Sequence, residues 1–143
     1  MRYRPAPMLV AAVILAGVGA LFVSGCGDKS AAGATAQETA DNFAAALDAG
    51  NLELAATAFD YVTEARRLNP DWDDIPGGQR DLIVDKLVQE RAGELGAFVQ
   101  RLGSGIKAGP VAQGSVSSLT GAAGSMSVEL REREGKWYIY NTW

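Results

Sequence analysis

The chain contains no histidine and a single cysteine, Cys26. Without imidazole there is no Ser-His-Asp or Cys-His nucleophile, no histidine-ligated zinc and no His-based proton shuttle. One cysteine makes neither a disulfide framework nor a thiolate metal site. No Gly-rich loop of the phosphate-cradling kind is present. Basic residues are also in deficit, 13 against 17 acidic ones. An acidic chain is a poor match for nucleic acid, whose binding rests on neutralised phosphates. Beyond residue 22 no apolar run is long enough to hold the chain in a bilayer. The absences predict a protein that is not an enzyme, uses no metal or cofactor and does not bind nucleic acid.

The N-terminus is where the sequence is most specific. Arg2 and Arg4 precede an uncharged stretch over residues 8–22, rich in Ala, Val, Leu, Ile and Gly, which ends at Val23-Ser24-Gly25-Cys26. A basic start, an apolar run of about 15 residues and a small-residue cleavage site have the layout of a secretory signal. A membrane-spanning helix needs about 20 residues. The four terminal residues resemble the lipobox of bacterial lipoproteins, which is a branched apolar residue, two small residues and an obligatory Cys. The resemblance implies a signal peptide over residues 1–25, cleavage after Gly25 and a lipid on the Cys26 thiol. It implies a protein of the cell envelope, anchored to a bacterial membrane through that lipid, with its domain on the extracytoplasmic side. Cleavage removes Arg2 and Arg4 from the 13 basic residues and none of the 17 acidic ones, a net of −6. Such a chain gains little from anionic lipid, so the acyl chains must do the anchoring.

Residues 26–35 are small and polar and predict a lipidated tether, leaving one domain over residues 36–143. Eight tether residues reach at most about 28 Å. Thr35 and Glu38 have the spacing of a capping box. Ala36, Ala40, Phe43, Ala44 and Leu47 then share a helical face that ends at Gly50. Asn51 opens a second helix, with Leu52, Ala55, Ala56, Phe59 and Val62 at helical spacing up to Asn69-Pro70. The segment 69–78 is a loop rich in Pro, Gly and Asp. A third helix begins near Gln79, and its stripe of Val84, Val88, Leu95, Phe98 and Leu102 is interrupted by Arg91.

From there the period changes. Met126, Val128 and Leu130 alternate with polar residues, as do Trp137, Ile139 and Trp143 with Tyr138, Tyr140 and Thr142. A two-residue turn at Glu134-Gly135 would set Leu130 beside Ile139, Glu132 beside Trp137 and Met126 beside Trp143 on one face. The other face would pair Arg131 with Tyr138 and Glu129 with Tyr140. An earlier strand over residues 111–119, turning at Thr120-Gly121, completes the meander. Its alternation is poor.

Helices followed by a meander predict an α+β fold, with the N-terminal helices packed on a curved antiparallel sheet. The run "FAAALDAGNLELAATAF" and the closing "ELREREGKWYIYNTW" resemble the nuclear-transport-factor-2-like superfamily of cone-shaped domains. The resemblance implies a sheet wrapped around helices with space for a cavity. It carries over no catalytic residue, since fold does not fix function. Gly50-Asn51 with Ala55, Phe59, Ala65 and Leu68 also has the flavour of one tetratricopeptide hairpin, but no second copy follows at a period of about 34 residues.

Three groups could carry chemistry. Asp71, Asp73 and Asp74 flank Trp72, without the glycine and bidentate glutamate of a calcium loop. They read as a solvated loop with Trp72 folded onto the core. Asp60 or Glu64 beside Tyr61 could serve a His-free isomerase, but they read more simply as an ordinary exposed i, i+4 pair. The third group is the aromatic set Tyr61, Trp72, Trp137, Tyr138, Tyr140 and Trp143, which could surround a cone cavity, but reads more simply as Trp137 and Trp143 filling the core and two tyrosines covering the outer sheet face. A cone would also hold a pocket. Its walls would be Phe43, Leu47, Phe59, Val128, Leu130, Trp137 and Ile139, with Tyr61 as the polar contact, suited to an apolar ligand. The expectation is a lipid-anchored binding or interaction module, taking a small apolar ligand or an envelope protein. A His-free isomerase or hydrolase and a structural or assembly factor remain the alternatives.

Overall fold

A computed structural model of the chain describes residues 30–143. The signal region, Cys26 and the start of the tether lie outside these residues. Helix α1 (Ala36–Asp48) begins as its sequence requires: Thr35 accepts from the Glu38 amide, and the Glu38 carboxylate accepts from the Ala34 amide. Its inward face of Ala40, Phe43, Ala44 and Leu47 is buried. Gly50 follows with φ of 70°, a left-handed turn suited to glycine, and Asn51 caps α2 (Leu52–Ala56).

The second predicted helix is in fact two. After α2 the chain breaks at Ala58-Phe59 and restarts as α3 (Tyr61–Leu68), capped by Asp60. The break is tertiary in origin. Ile139 donates its amide to the Ala58 carbonyl at 2.8 Å, and Phe59 pairs with Ile139 as a short parallel bridge. A continuous helix would keep that carbonyl for its own ladder.

A 3₁₀ turn (Trp72–Asp74) leads into α4 (Gly77–Leu102), which extends for about 39 Å. Trp72 is buried, and Asp73 pairs with Arg66 at 3.0 Å. Four antiparallel strands follow in the order β1 (Lys107–Ala108), β2 (Val116–Thr120), β3 (Ser125–Arg133) and β4 (Lys136–Thr142). The sheet curls as a half-barrel against α1, so the fold is α+β. Glycine closes the far end. The β2–β3 turn donates from Ala123 to the Leu102 carbonyl, and a Cβ at Gly121 would overlap that carbonyl.

The hairpin keeps its expected register near the turn, with Leu130 on Ile139, Arg131 on Tyr138 and Glu132 on Trp137. Glu134 and Gly135 both have positive φ, as a type I′ turn needs. Between Glu129 and Leu130 a β-bulge shifts the pairing by one residue. Glu129 therefore meets Asn141 rather than Tyr140, and Ser127 rather than Met126 exchanges hydrogen bonds with Trp143. Trp143, expected on the inner face, is exposed as a result. Strand β2 is shorter than predicted and starts at Val116. Its inward residues are Ser117 and Leu119, and the buried Ser117 hydroxyl donates to the Gly109 carbonyl. A polar residue on the inner face is what spoiled the alternation.

The tether is also shorter than the composition predicted. Ala31 donates to the Thr57 hydroxyl at 2.8 Å, Gly33 accepts from the Trp137 amide, and Ala31 and Gly33 are buried. Thr39, fully buried on α1, accepts from the Gly33 amide and donates to the Trp137 carbonyl. Residues 30–34 thus belong to the domain.

Candidate functional site between α3 and β4

The eight residues expected to wall a pocket have separate fates. Phe43, Leu47, Val128, Leu130 and Ile139 are almost fully buried and pack together in one core cluster, with Trp137 partly buried against it. Tyr61 joins the same cluster. Its hydroxyl donates to the Ala56 carbonyl at 2.6 Å, and burial pushes its phenol well above the ordinary value, with Arg91 opposing the shift. That hydroxyl is already engaged. The concave site lies to one side, as a cleft of about 440 Å³ between α3 and the end of β4. Only Phe59 and Ile139 of the eight border it. Two facing surfaces packed by Phe43 and Leu47 leave the middle of the half-barrel filled. The short, polar α3 does not follow the sheet closely enough to fill its own seam.

Asp60 sets the position of α3. Its carboxylate accepts from the Thr63 amide at 3.2 Å and the Thr63 hydroxyl at 2.6 Å. Arg133 Nε on β3 lies 3.0 Å from both carboxylate oxygens. The residue is therefore a helix cap and an ionic link to the sheet, which is not the role of a free general base. Its partner in the isomerase reading, Glu64, stands 3.9 Å from Arg91 on α4.

Arg91 explains the interrupted stripe of α4. Its guanidinium lies over the Phe59 ring, 4.9 Å from the centroid, and donates to Glu94 at 2.9 Å. Phe59 in turn meets Phe43 edge-on, with centroids 5.7 Å apart. A cation on an apolar stripe here marks the point where the core opens to the cleft.

The remaining lining is polar, and its Arg67 and Asn141 came from no pattern in the sequence. Arg67 on α3 has no ion-pair or hydrogen-bond partner among the described residues. Asn141 accepts from the Thr142 amide through its side-chain oxygen, which leaves its amide nitrogen available. Tyr140 lies under Arg131, with the guanidinium 3.5 Å from its ring centroid. A smaller hollow of about 150 Å³ on the other side shares Asp60, Thr63 and Tyr140 with the cleft, so the two form one seam. Among the described residues no group of three or more Cys, Asp or Glu could hold a metal ion. In the Asp71–Asp74 loop, Asp73 is tied to Arg66 at 3.0 Å. No known protein family, curated protein or solved structure matches the chain.

Proposed function

We propose that the chain is a lipid-anchored protein of the bacterial cell envelope whose extracytoplasmic domain is a binding module, with the α3–β4 cleft as its ligand site. The observation that carries the binding half is that Arg67, without a partner among the described residues, borders one concave space floored by the apolar Phe59 and Ile139. Small-molecule sites combine this kind of apolar wall with a few well-placed polar groups. The groups an isomerase would use are otherwise engaged: Tyr61 with the Ala56 carbonyl and Asp60 with Arg133. The helices followed by a curled sheet are in keeping with the nuclear-transport-factor-2-like plan. The lipobox supports the anchor. Among the described residues no helix is long and apolar enough to cross a membrane.

Docking of residues 30–34 alters how such an anchor would work. Ser30 already donates to the Thr57 carbonyl, so only three residues separate it from Cys26, and the four steps between them reach at most about 14 Å. The lipid would hold the Thr57 side of the domain against the bilayer.

Two measurements test the reading. Labelled palmitate should enter the wild-type chain, whereas Cys26→Ser should stay unlabelled and uncleaved; equal labelling contradicts the anchor. A fragment screen read by amide chemical shifts should give hits that cluster at Glu64, Arg67 and Asn141. Hits scattered elsewhere, or none, contradict the binding site.

A further inference from the structure

The charges around the cleft are unevenly matched. Asp60 is held by Arg133, and Arg91 lies between Glu64 and Glu94. Arg67 alone of the lining charges has no counter-ion among the described residues. Two neutral donors, the Asn141 amide nitrogen and the Tyr140 hydroxyl, border the same space without a hydrogen-bond partner among the described residues. Phe59 and Ile139 form the floor of the cleft, both almost fully buried, with Arg91 over the Phe59 ring.

We infer that the cleft binds a small aromatic monocarboxylate, its carboxylate on Arg67 and its ring on the Arg91 guanidinium that covers Phe59. This rests on the reading of the domain as a binding module. A guanidinium presents two parallel N–H groups that fit a carboxylate edge-on, and Asn141 and Tyr140 can donate to its remaining lone pairs. One uncompensated cation calls for one negative charge. A dianion would bring its second charge toward Glu64 and Glu94, where like charges repel. Phe59 and Ile139 lie almost fully buried beneath the cleft, and the Arg91 guanidinium over the Phe59 ring is the surface on which a ligand ring can stack. A volume of about 440 Å³ sits low in the range of small-molecule sites, enough for one or two rings and too small for a folded partner.

The test uses the full chain in lipid nanodiscs, with amide shifts followed during titration with 2-naphthoate, its neutral amide 2-naphthamide, and 2-naphthyl phosphate. The expected result is that naphthoate moves the Glu64, Arg67 and Asn141 signals and binds at least about tenfold more tightly than naphthamide, as loss of a charge-assisted hydrogen bond implies. Arg67→Gln should lose a similar factor, with Arg67→Lys between the two. Arg67 is exposed, so an unchanged melting temperature verifies that the variants remain folded. Equal binding of naphthoate and naphthamide at the cleft overturns the carboxylate and leaves the module reading intact. Tighter binding of naphthyl phosphate overturns the monoanion. If no probe moves the cleft signals, the ligand class and the module reading both fail.

Discussion

Helices α1 and α3 both meet the sheet, and they do so by opposite means. Seven of the thirteen residues of α1 are buried, among them Phe43 and Leu47 at the centre of the core. Only Tyr61 and Ala65 are buried among the eight of α3. An eight-residue helix has little stability of its own. It is held by the Asp60 cap, the Asp60–Arg133 link and the Tyr61 hydroxyl on Ala56. Apolar side chains interdigitate and close the gap between elements, as along α1. Ionic links fix a distance and leave space, as along α3. The same sheet thus has a sealed side and an open one, and the open side holds the cleft.

The largest effect should come from charging the sealed side. Leu47→Asp places an unpaired carboxylate in the core and should unfold the domain, as seen by loss of the cooperative thermal transition. A folded variant would mean that water reaches Leu47, and the distinction between the sides would weaken. Next comes the ionic link. Asp60→Ala removes a helix cap and a charge-assisted pair, at a cost of about 2 kcal/mol by chemical denaturation. Amide exchange should rise across α3 and stay unchanged in α1.

Tyr61 gives a pH signature of the open side. Burial raises its phenol pKa in the fold above the ordinary value of 10.0, which favours the neutral form. Its contribution is therefore complete below about pH 10 and declines as pH rises beyond it, where the unfolded chain releases the proton more readily. Tyr61→Phe should cost about 1 kcal/mol at neutral pH and reduce the alkaline loss of stability, measured as melting temperature against pH. The smallest effect belongs to the exposed outer face. Tyr140→Ser should cost less than about 1 kcal/mol.

Much of this architecture was legible where a local signal coincided with the tertiary one. Thr35 with Glu38, the turn at Glu134-Gly135 and the pairing of Leu130 with Ile139 are all local patterns that the fold keeps. The bulge was not legible, because one extra residue leaves the alternation on each side intact and changes only their phase. The α2–α3 break was hidden because Phe59 and Val62 continue the helical spacing, while the cause is a bond from a distant strand. The docking of residues 30–34 was equally hidden, since backbone groups meeting Thr57 and Thr39 have no side-chain pattern. At the candidate site, Phe59 and Ile139 stood out as apolar residues. Arg67 and Asn141 did not, because a polar surface residue becomes distinctive only when its neighbours leave it without a partner. Asp60 and Glu64 stood out as carboxylates beside Tyr61, and Arg91 as a charge on an apolar stripe.

Phenylalanine offers the most direct comparison of the two sides, because Phe43 lies in the sealed core and Phe59 borders the cleft. Fluorine NMR of the chain labelled with 4-fluorophenylalanine, titrated with 2-naphthoate, reads both rings at once. The account predicts a large saturable shift of the Phe59 signal and a smaller one at Phe43, which touches it edge-on. A shift at Phe43 with Phe59 unmoved would put the ligand inside the half-barrel and contradict the account.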